Sequence, residues 1–306
     1  MKLQQLKYIC EVVKQDLNLS KAAAELYTSQ PGVSKQIRAL EDELGVDIFI
    51  RHGKRFTGIT EPGRAIIQKA QAALTDLNSL RNISNEFTNE TSGSLKIATT
   101  HTQARYALPL VIKQFREKFP NVKLSLYQGS PTQISQMTSS GEADIAIATE
   151  AISLEKDLAL LPCYQWNRCI LTPPKHPLLR SKRVSLEEIS EFPIITYDFA
   201  FTGRSKINQA FEDKGLKPDV ILTAIDADVI KTYVELELGI GIVAMMAYDP
   251  ARDTKIRALD ASHLFEASTT RIGLRKHSYI RGYVYEFISM FAPHLNKKAV
   301  DSILTS

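Results

Sequence analysis

No stretch of this 306-residue chain approaches the ~18 consecutive apolar residues needed to cross a bilayer. Its first positions, MKLQQLKYICEVVKQDLNLS, scatter charges where a secretory leader needs an unbroken apolar run, so the chain is expected to act in the cytoplasm, away from membranes. Cysteine is scarce. Cys10, Cys163 and Cys169 make an odd set without metal-ligand spacing. A Cys163–Cys169 redox pair is conceivable, but structural thiols in a strand-rich segment are the preferred reading, and no metal or cofactor is expected. Catalytic signatures are missing as well. There is no GxSxG, no HExxH, no phosphate-binding loop and no carboxylate pair placed with a histidine, so no enzymatic activity is expected. Gly239-Ile-Gly241 precedes a predicted strand rather than a helix, the wrong order for a dinucleotide turn. His101 has no second ligand at a useful spacing and reads as a lining or packing residue. An excess of one charge is also lacking: 38 Lys+Arg stand against 34 Asp+Glu, a net of +4 that does not by itself demand nucleic acid.

What is present is ordered. With 44% hydrophobic and 24% charged residues, the chain has the composition of a soluble globular protein of two or three domains. Leu3, Leu6, Ile9, Cys10 and Val13 recur at helical spacing. Ser20 is placed to cap a second helix whose alanines allow close packing, and Thr28–Gly32 is a break. A third helix is predicted over Pro31–Leu44, with Val33, Ile37, Leu40 and Leu44 inward and Gly45 ending it. Two short helices, a tight turn and a polar-faced helix describe a helix-turn-helix, whose second helix reads the DNA major groove. Gln30 suits adenine and Lys35 guanine or a phosphate; Ser34 suits either, and Arg38 also faces outward as a DNA-contact candidate. Val46–Ile50 and Phe56–Thr60 are predicted to form a hairpin wing with Arg51, Lys54 and Arg55 near its tip, suited to phosphates or the minor groove. A small helical packing unit with solvated charges is the bland alternative. The arrival of helix, turn, helix and basic wing in succession favours DNA.

From Glu61 to about Asn89 a long helix carries Ile66, Ala70, Ala73, Leu77, Leu80, Ser84 and Phe87 at alternating spacings of four and three. That is a seam of about three heptads. It could pack on its own domain, but separate domains on either side favour pairing with a second copy. Asn89–Ser94 is a turn-rich hinge.

Beyond it, strands are predicted over Leu95–Thr100, Val122–Gln128 and Ala143–Thr149, with helices over Thr102–Lys118 and Pro131–Ser139. This βαβαβ order predicts a parallel sheet with ligands at its carboxyl ends. Further strands are predicted at Leu158–Tyr164, Cys169–Leu171, Pro193–Tyr197, Val220–Ile225, Gly241–Met245 and Arg271–Leu274. A capping box sits at Ser185, and a closing helix is predicted over Tyr279–Phe291. Two α/β lobes imply a cleft between them. Thr99, Thr100, His101, Thr102 and Gln103 at the end of the first strand, Thr149 at the end of another and Thr202-Gly203-Arg204 in the second lobe are expected to face it, near a helix N-terminus that favours an anion.

The run Ser20-KAAAELYTSQPGVSKQIRALEDELGVDIFIR, followed by Gly58-ITEPGR, resembles the signature of LysR-type transcriptional regulators. Thr99-THTQARYALP, Ala148-Thr149-Glu and Phe201-Thr-Gly-Arg are similar to the members that regulate cysteine biosynthesis and sulfur assimilation. The resemblance implies an α/β multidomain protein with three parts. Residues 1–60 would form a winged helix-turn-helix and 61–90 a dimerising linker helix and hinge. Residues 91–306 would form an effector domain of periplasmic-binding-protein type, with lobe I about 91–161 and 269–306 and lobe II about 162–268. It implies that Gln30, Pro31, Ser34 and Lys35 contact promoter DNA. It implies further that Thr100, Thr102, Gln103, Thr149 and Thr202 hold sulfate or the carboxylate of N-acetylserine, in a homotetramer. A related member responds instead to adenosine phosphosulfate. A solute-binding protein would share the two lobes but has no use for the first sixty residues.

Overall fold

The computed structural model describes residues 1–53, 55–88, 92–149, 157–199, 204–276 and 278–304, side chains of 78–79 and 81–88 excepted. It divides into two compact units, Met1–Thr88 and Asn89–Ser306.

In the first unit, α1 (Leu3–Lys14), α2 (Leu19–Glu25) and α3 (Gln30–Leu44) precede a hairpin of β1 (Phe49–His52) and β2 (Arg55–Ile59), then the long α4 (Glu61–Thr88). Ile9, Val12, Ala22, Val33, Ile37, Leu40 and Ile48 are wholly buried and make one core. Alanines at 22 and 23 let the short α2 sit close to its neighbours. The cap of α2 is Asn18 rather than Ser20: its Oδ1 accepts from the Ser20 and Lys21 amides, both at 3.1 Å. Ser29 caps α3 by accepting from the Gly32 amide at 3.2 Å, so that helix begins one residue before the predicted proline. Gly45 ends it at φ 71°, the left-handed conformation that favours glycine. Leu44, predicted inward, is 39% exposed, because the helix has already turned past the core at its last residue. The hairpin is shifted toward the tip, its strands pairing from Phe49↔Ile59 to His52↔Arg55. Gly63 packs so closely on the Ile48 carbonyl that a Cβ there would lie 2.1 Å from it.

The long helix divides its seam. Ile67 and Ala70 are buried in the core of the first unit, with Ile66, Ala73 and Leu74 packed against it. Leu77 and Leu80, one turn further on, are exposed. Packing on its own domain therefore accounts for the first part of the seam but not for these two leucines. The side chains of Ser84 and Phe87 lie outside the described residues.

The second unit contains two five-stranded sheets. The first holds β3 (Gly93–Thr99), β4 (Val122–Gln128), β5 (Ile145–Ala148), β6 (Leu158–Trp166) and, returning later, β12 (Ser268–Arg275), in the order β4-β3-β5-β12-β6. Its helices are α5 (Leu108–Lys118) and α6 (Pro131–Ser139). The second holds β7 (Arg168–Thr172), β8 (Ile194–Tyr197), β9 (Val220–Ala224), β10 (Ile240–Ala244) and β11 (Arg257–Asp260), in the order β11-β7-β10-β8-β9. With it go α7 (Leu186–Ser190), α8 (Arg204–Asp213) and α9 (Ala227–Glu235), while α10 (Gly282–Phe291) and α11 (Lys297–Leu304) close the first lobe. The inner strands are parallel, with β3 between β4 and β5, and β8 between β10 and β9. Ser185 forms the predicted capping box with Glu188, and Gly239 joins a helix to a strand as read.

Two strands carry the chain between lobes. β6 stays in the first sheet through Trp166, so the passage falls at Asn167 rather than near residue 161. Pairing of Ser268 with Trp166 keeps both crossings side by side. Arg168 is buried at that junction; its guanidinium donates to the Glu266 carbonyl (3.0 Å) and Ser268 Oγ (2.8 Å) and lies 5.1 Å from the Trp166 ring. The predicted helix over Thr102–Lys118 is not uniform. It starts at His101, opens into a wide turn over Gln103–Ala107, and tightens into α5. Cys163 and Cys169 are free thiols in different sheets, not a pair.

Candidate functional site

On the first unit, the start of α3 and the hairpin present the predicted DNA contacts. Gln30, Pro31, Lys35 and Arg38 are exposed and Ser34 half-buried, while Val33 and Ile37 point the other way into the core. The helical period thus puts polar side chains on one face by burying its apolar neighbours. Arg55 is exposed at the base of the hairpin turn; Lys54 lies outside the described residues. Arg51 is differently employed. Its guanidinium is paired with the buried Glu41, lies 3.4 Å from Asp47 Oδ1 and sits 5.2 Å from the Phe56 ring centroid. Glu41 also accepts the Ile48 and Phe49 amides at 2.8 and 3.2 Å. In this structure Arg51 fastens the wing to α3.

On the second unit, β3 ends at Thr99, whose hydroxyl donates to the Ile147 carbonyl at 2.9 Å. The next residues enter the helical segment from His101, whose first amides have no intrahelical acceptor. Thr100, Thr102 and Gln103 are all buried there, and Thr149 is buried just past the end of β5 in the same sheet. The structure therefore gathers four of the five predicted effector residues at one end of one sheet. Thr202 lies outside the described residues. Two buried polar atoms at this point, Thr102 Oγ1 and His101 Nδ1, make no well-formed hydrogen bond among the described residues, although the Tyr197 phenol lies close to Thr102. Leaving such atoms unsatisfied is costly, and sites of this kind are commonly completed by water or a ligand.

The second lobe brings its own groups. Tyr197, at the end of β8, is wholly buried beside Thr102 and accepts from the Ala244 amide at 3.3 Å. Burial holds its phenol far above the ordinary range, so it stays a neutral hydroxyl. Arg204 donates to the Tyr197 carbonyl at 3.3 Å and to Asn208 at 2.7 Å. Gln103 uses its amide on protein partners: Nε2 donates to Thr270 Oγ1 (3.1 Å) and Oε1 accepts from the Tyr164 hydroxyl (2.5 Å). Tyr164, Tyr197 and Thr270 were not anticipated. A signal existed for Thr270: in Ser268–Arg275 every second residue from Ser268 faces inward, and two of those inward places hold hydroxyls. A separate cavity of about 500 Å³, lined by Ser205, Lys206, Gln209, Lys214 and Glu266 among others, includes none of Thr100, Thr102 and Thr149.

The arrangement gathers neutral hydroxyls near a helix N-terminus, with Tyr197 of the second lobe beside them. It can hold a small oxyanion or carboxylate by hydrogen bonds without a formal counter-charge.

Comparison with known proteins agrees with this division. Residues 3–64 match the model of the bacterial regulatory helix-turn-helix protein, lysR family, and residues 88–296 match the LysR substrate binding domain. The chain is 59% identical over 304 residues to the HTH-type transcriptional regulator SsuR of Burkholderia cenocepacia, covering 99% of each. It is 51% identical to the HTH-type transcriptional regulator CysB of the same species, covering 99% of this chain and 97% of the relative. The crystal structure of the cofactor-binding domain of the Cbl transcriptional regulator superposes with a TM-score of 0.69 at 45% identity, over 72% of this chain and 96% of that one. These relatives are transcriptional regulators rather than enzymes. The chain belongs to the LysR family of bacterial helix-turn-helix transcriptional regulators.

Proposed function

We propose that this regulator controls genes of sulfur assimilation and cysteine biosynthesis, and that it responds to a small anion of the N-acetylserine or sulfate class. The reading rests on one observation above others: the buried Thr102 hydroxyl, with only the Tyr197 phenol close by, makes no well-formed hydrogen bond inside a cluster of hydroxyls at a helix start. An anion that accepts from Thr100, Thr102, Thr149 and Thr202 supplies what the cluster lacks, with Gln103 beside it. The likeness to CysB supports the sulfur assignment. On the first unit, Gln30, Pro31, Ser34, Lys35 and Arg38 read promoter DNA, with Lys54 and Arg55 on flanking phosphates. Leu77 and Leu80 pair the linker helices of two copies, and dimers assemble into a cytoplasmic tetramer.

A second reading has an observation of its own. The likeness to the Cbl domain favours a nucleotide sulfate, adenosine phosphosulfate, with sulfonate-sulfur genes as the target. Calorimetric titration of the full chain with sulfate, N-acetylserine and adenosine phosphosulfate separates the two, run with and without a sulfur-assimilation promoter fragment. Saturable N-acetylserine or sulfate binding that changes DNA affinity supports the first reading. Response to the nucleotide alone supports the second. Specific DNA binding with no response to any of the three overturns both sulfur assignments.

A further inference from the structure

Residues 99 to 106 leave the end of β3 and touch three parts of the effector domain in turn. Thr99 is tied to β5 within lobe I. Gln103 is tied to Tyr164 on β6 and Thr270 on β12, the strands that cross between lobes. Three residues on, Tyr106 reaches lobe II: its hydroxyl donates to Asp228 Oδ1 on α9 at 2.6 Å, and Arg105 Nε lies 3.3 Å from Oδ2 of the same carboxylate. Asp228 is held from its own lobe by Lys231 Nζ at 3.2 Å, which also reaches Asp253 Oδ1 (3.2 Å) and the Ala247 carbonyl (3.0 Å). The Tyr106 ring packs among lobe II residues, Ala227 and Ile230 included, with Lys231 Nζ 5.2 Å from its centroid.

We propose that Arg105, Tyr106 and Asp228 are positioning residues for the effector site, a latch that fastens lobe II to the segment carrying the effector threonines. The proposal rests on the effector reading given above. Thr102 and Tyr106 belong to one helical run, so neither can shift far without carrying the other. A wide helical turn joins them, a form common at functional sites. Two cations, Arg105 and Lys231, face two carboxylates, Asp228 and Asp253, so the latch adds no formal charge beside an anion site. Burial and the Asp228 carboxylate push the Tyr106 phenol far up, so it remains a donor throughout the physiological range. Burial alone would raise Asp228, but Tyr106, Lys231 and Arg105 together hold it below the ordinary carboxylate range. A neutral donor on a fixed anion is the stronger kind of hydrogen bond. Closing the lobes and ordering the threonines are then one equilibrium, and a ligand favouring one draws the other with it.

The test uses the full chain as wild type, Tyr106→Phe, Asp228→Ala and the double variant. Hydrogen exchange without ligand is followed over residues 100–107 and 226–235, and sulfate and N-acetylserine affinities are measured by calorimetry. Each single variant is expected to speed exchange in those two segments, leaving the strands of both lobes as in wild type. Each is also expected to weaken anion binding roughly tenfold, with the double variant no worse than Asp228→Ala. Asp228→Glu should recover part of the loss, which a purely structural defect would not. Wild-type exchange in the variants, or losses that add independently, overturns the latch. Faster exchange in variants of a protein that binds neither anion leaves the latch standing and overturns the N-acetylserine or sulfate reading.

Discussion

The Arg51 guanidinium pairs with the Glu41 carboxylate, which at the same time accepts the Ile48 and Phe49 amides at the root of the hairpin. One buried acid therefore sets where the wing leaves the recognition helix. Glu41→Ala would leave two buried amides without acceptors, at roughly 2–4 kcal/mol for the first unit. Hydrogen exchange at Ile48 and Phe49 should accelerate accordingly. Arg51→Ala should loosen the same amides and weaken DNA binding together. Lys35→Ala, by contrast, should weaken DNA binding, flatten its salt dependence and leave the amides protected. Equal protection in all three variants would deny Arg51 its fastening role.

The divided seam of α4 separates stability from pairing. Ile67 is 5% exposed within the core of the first unit, so Ile67→Ala should cost about 2–4 kcal/mol of its stability. Leu80 is 63% exposed, and Leu80→Glu should leave that stability within about 0.5 kcal/mol. If Leu77 and Leu80 face a second copy, the Leu80 variant should instead weaken the dimer at least roughly tenfold. Sedimentation equilibrium reads this directly, and an unchanged association constant would remove the leucines from the interface.

Much of the fold was legible where local chemistry is decisive. Val122–Gln128 and Pro131–Ser139 fall on their predicted bounds, the helix because Ser130 and Gln133 box its start behind a proline. Gly45 marked a helix end because only its left-handed φ serves there. Asn18 and Ser20 show the limit: both are good caps, and which one serves depends on where the preceding turn leaves the chain. That Thr100, Thr102 and Thr149 gather at one end of a sheet was readable because strand ends in a parallel sheet are predictable places. Tyr106 and Asp228 were not. They are 122 positions apart and in different lobes, and no local period encodes a contact made only when two sheets come together. The pairing of Arg51 was hidden for a similar reason: a basic residue near a wing tip signals phosphate, and the acid that engages it lies ten positions earlier on another element.

The three thiols give a pH prediction. Burial pushes Cys163 and Cys169 up to about 12 and Cys10 up to about 11, from an ordinary value of 9.0. Thiols protonated more tightly in the folded state contribute stability that is fully present below pH 9.0 and lost as pH rises toward about 12. Folded protein at pH 8 should therefore resist iodoacetamide at Cys163 and Cys169, with labelling appearing only in denaturant. Rapid modification of either residue in the folded chain would contradict their buried, protonated state.

Thr102 separates a ligand contact from a structural one. Its hydroxyl is buried without a well-formed hydrogen bond, only the Tyr197 phenol lying close by, so it contributes little to the stability of the free protein. Thr102→Val keeps the volume and removes the hydroxyl. The free variant should be as stable as wild type within about 1 kcal/mol, or more stable, because an unsatisfied group has gone. Anion binding should weaken by roughly ten- to a hundredfold, since a buried hydrogen bond to a charged group is worth about 1.5–3 kcal/mol. DNA binding without effector should be unchanged, because α3 and the hairpin belong to the other unit. Thr99→Val is the control: its hydroxyl already donates to Ile147, so the variant should lose stability and gain nothing in return. If Thr102→Val instead destabilised the free chain as much as Thr99→Val and bound anions like wild type, the hydroxyl would be a packing element and the anion would lie elsewhere.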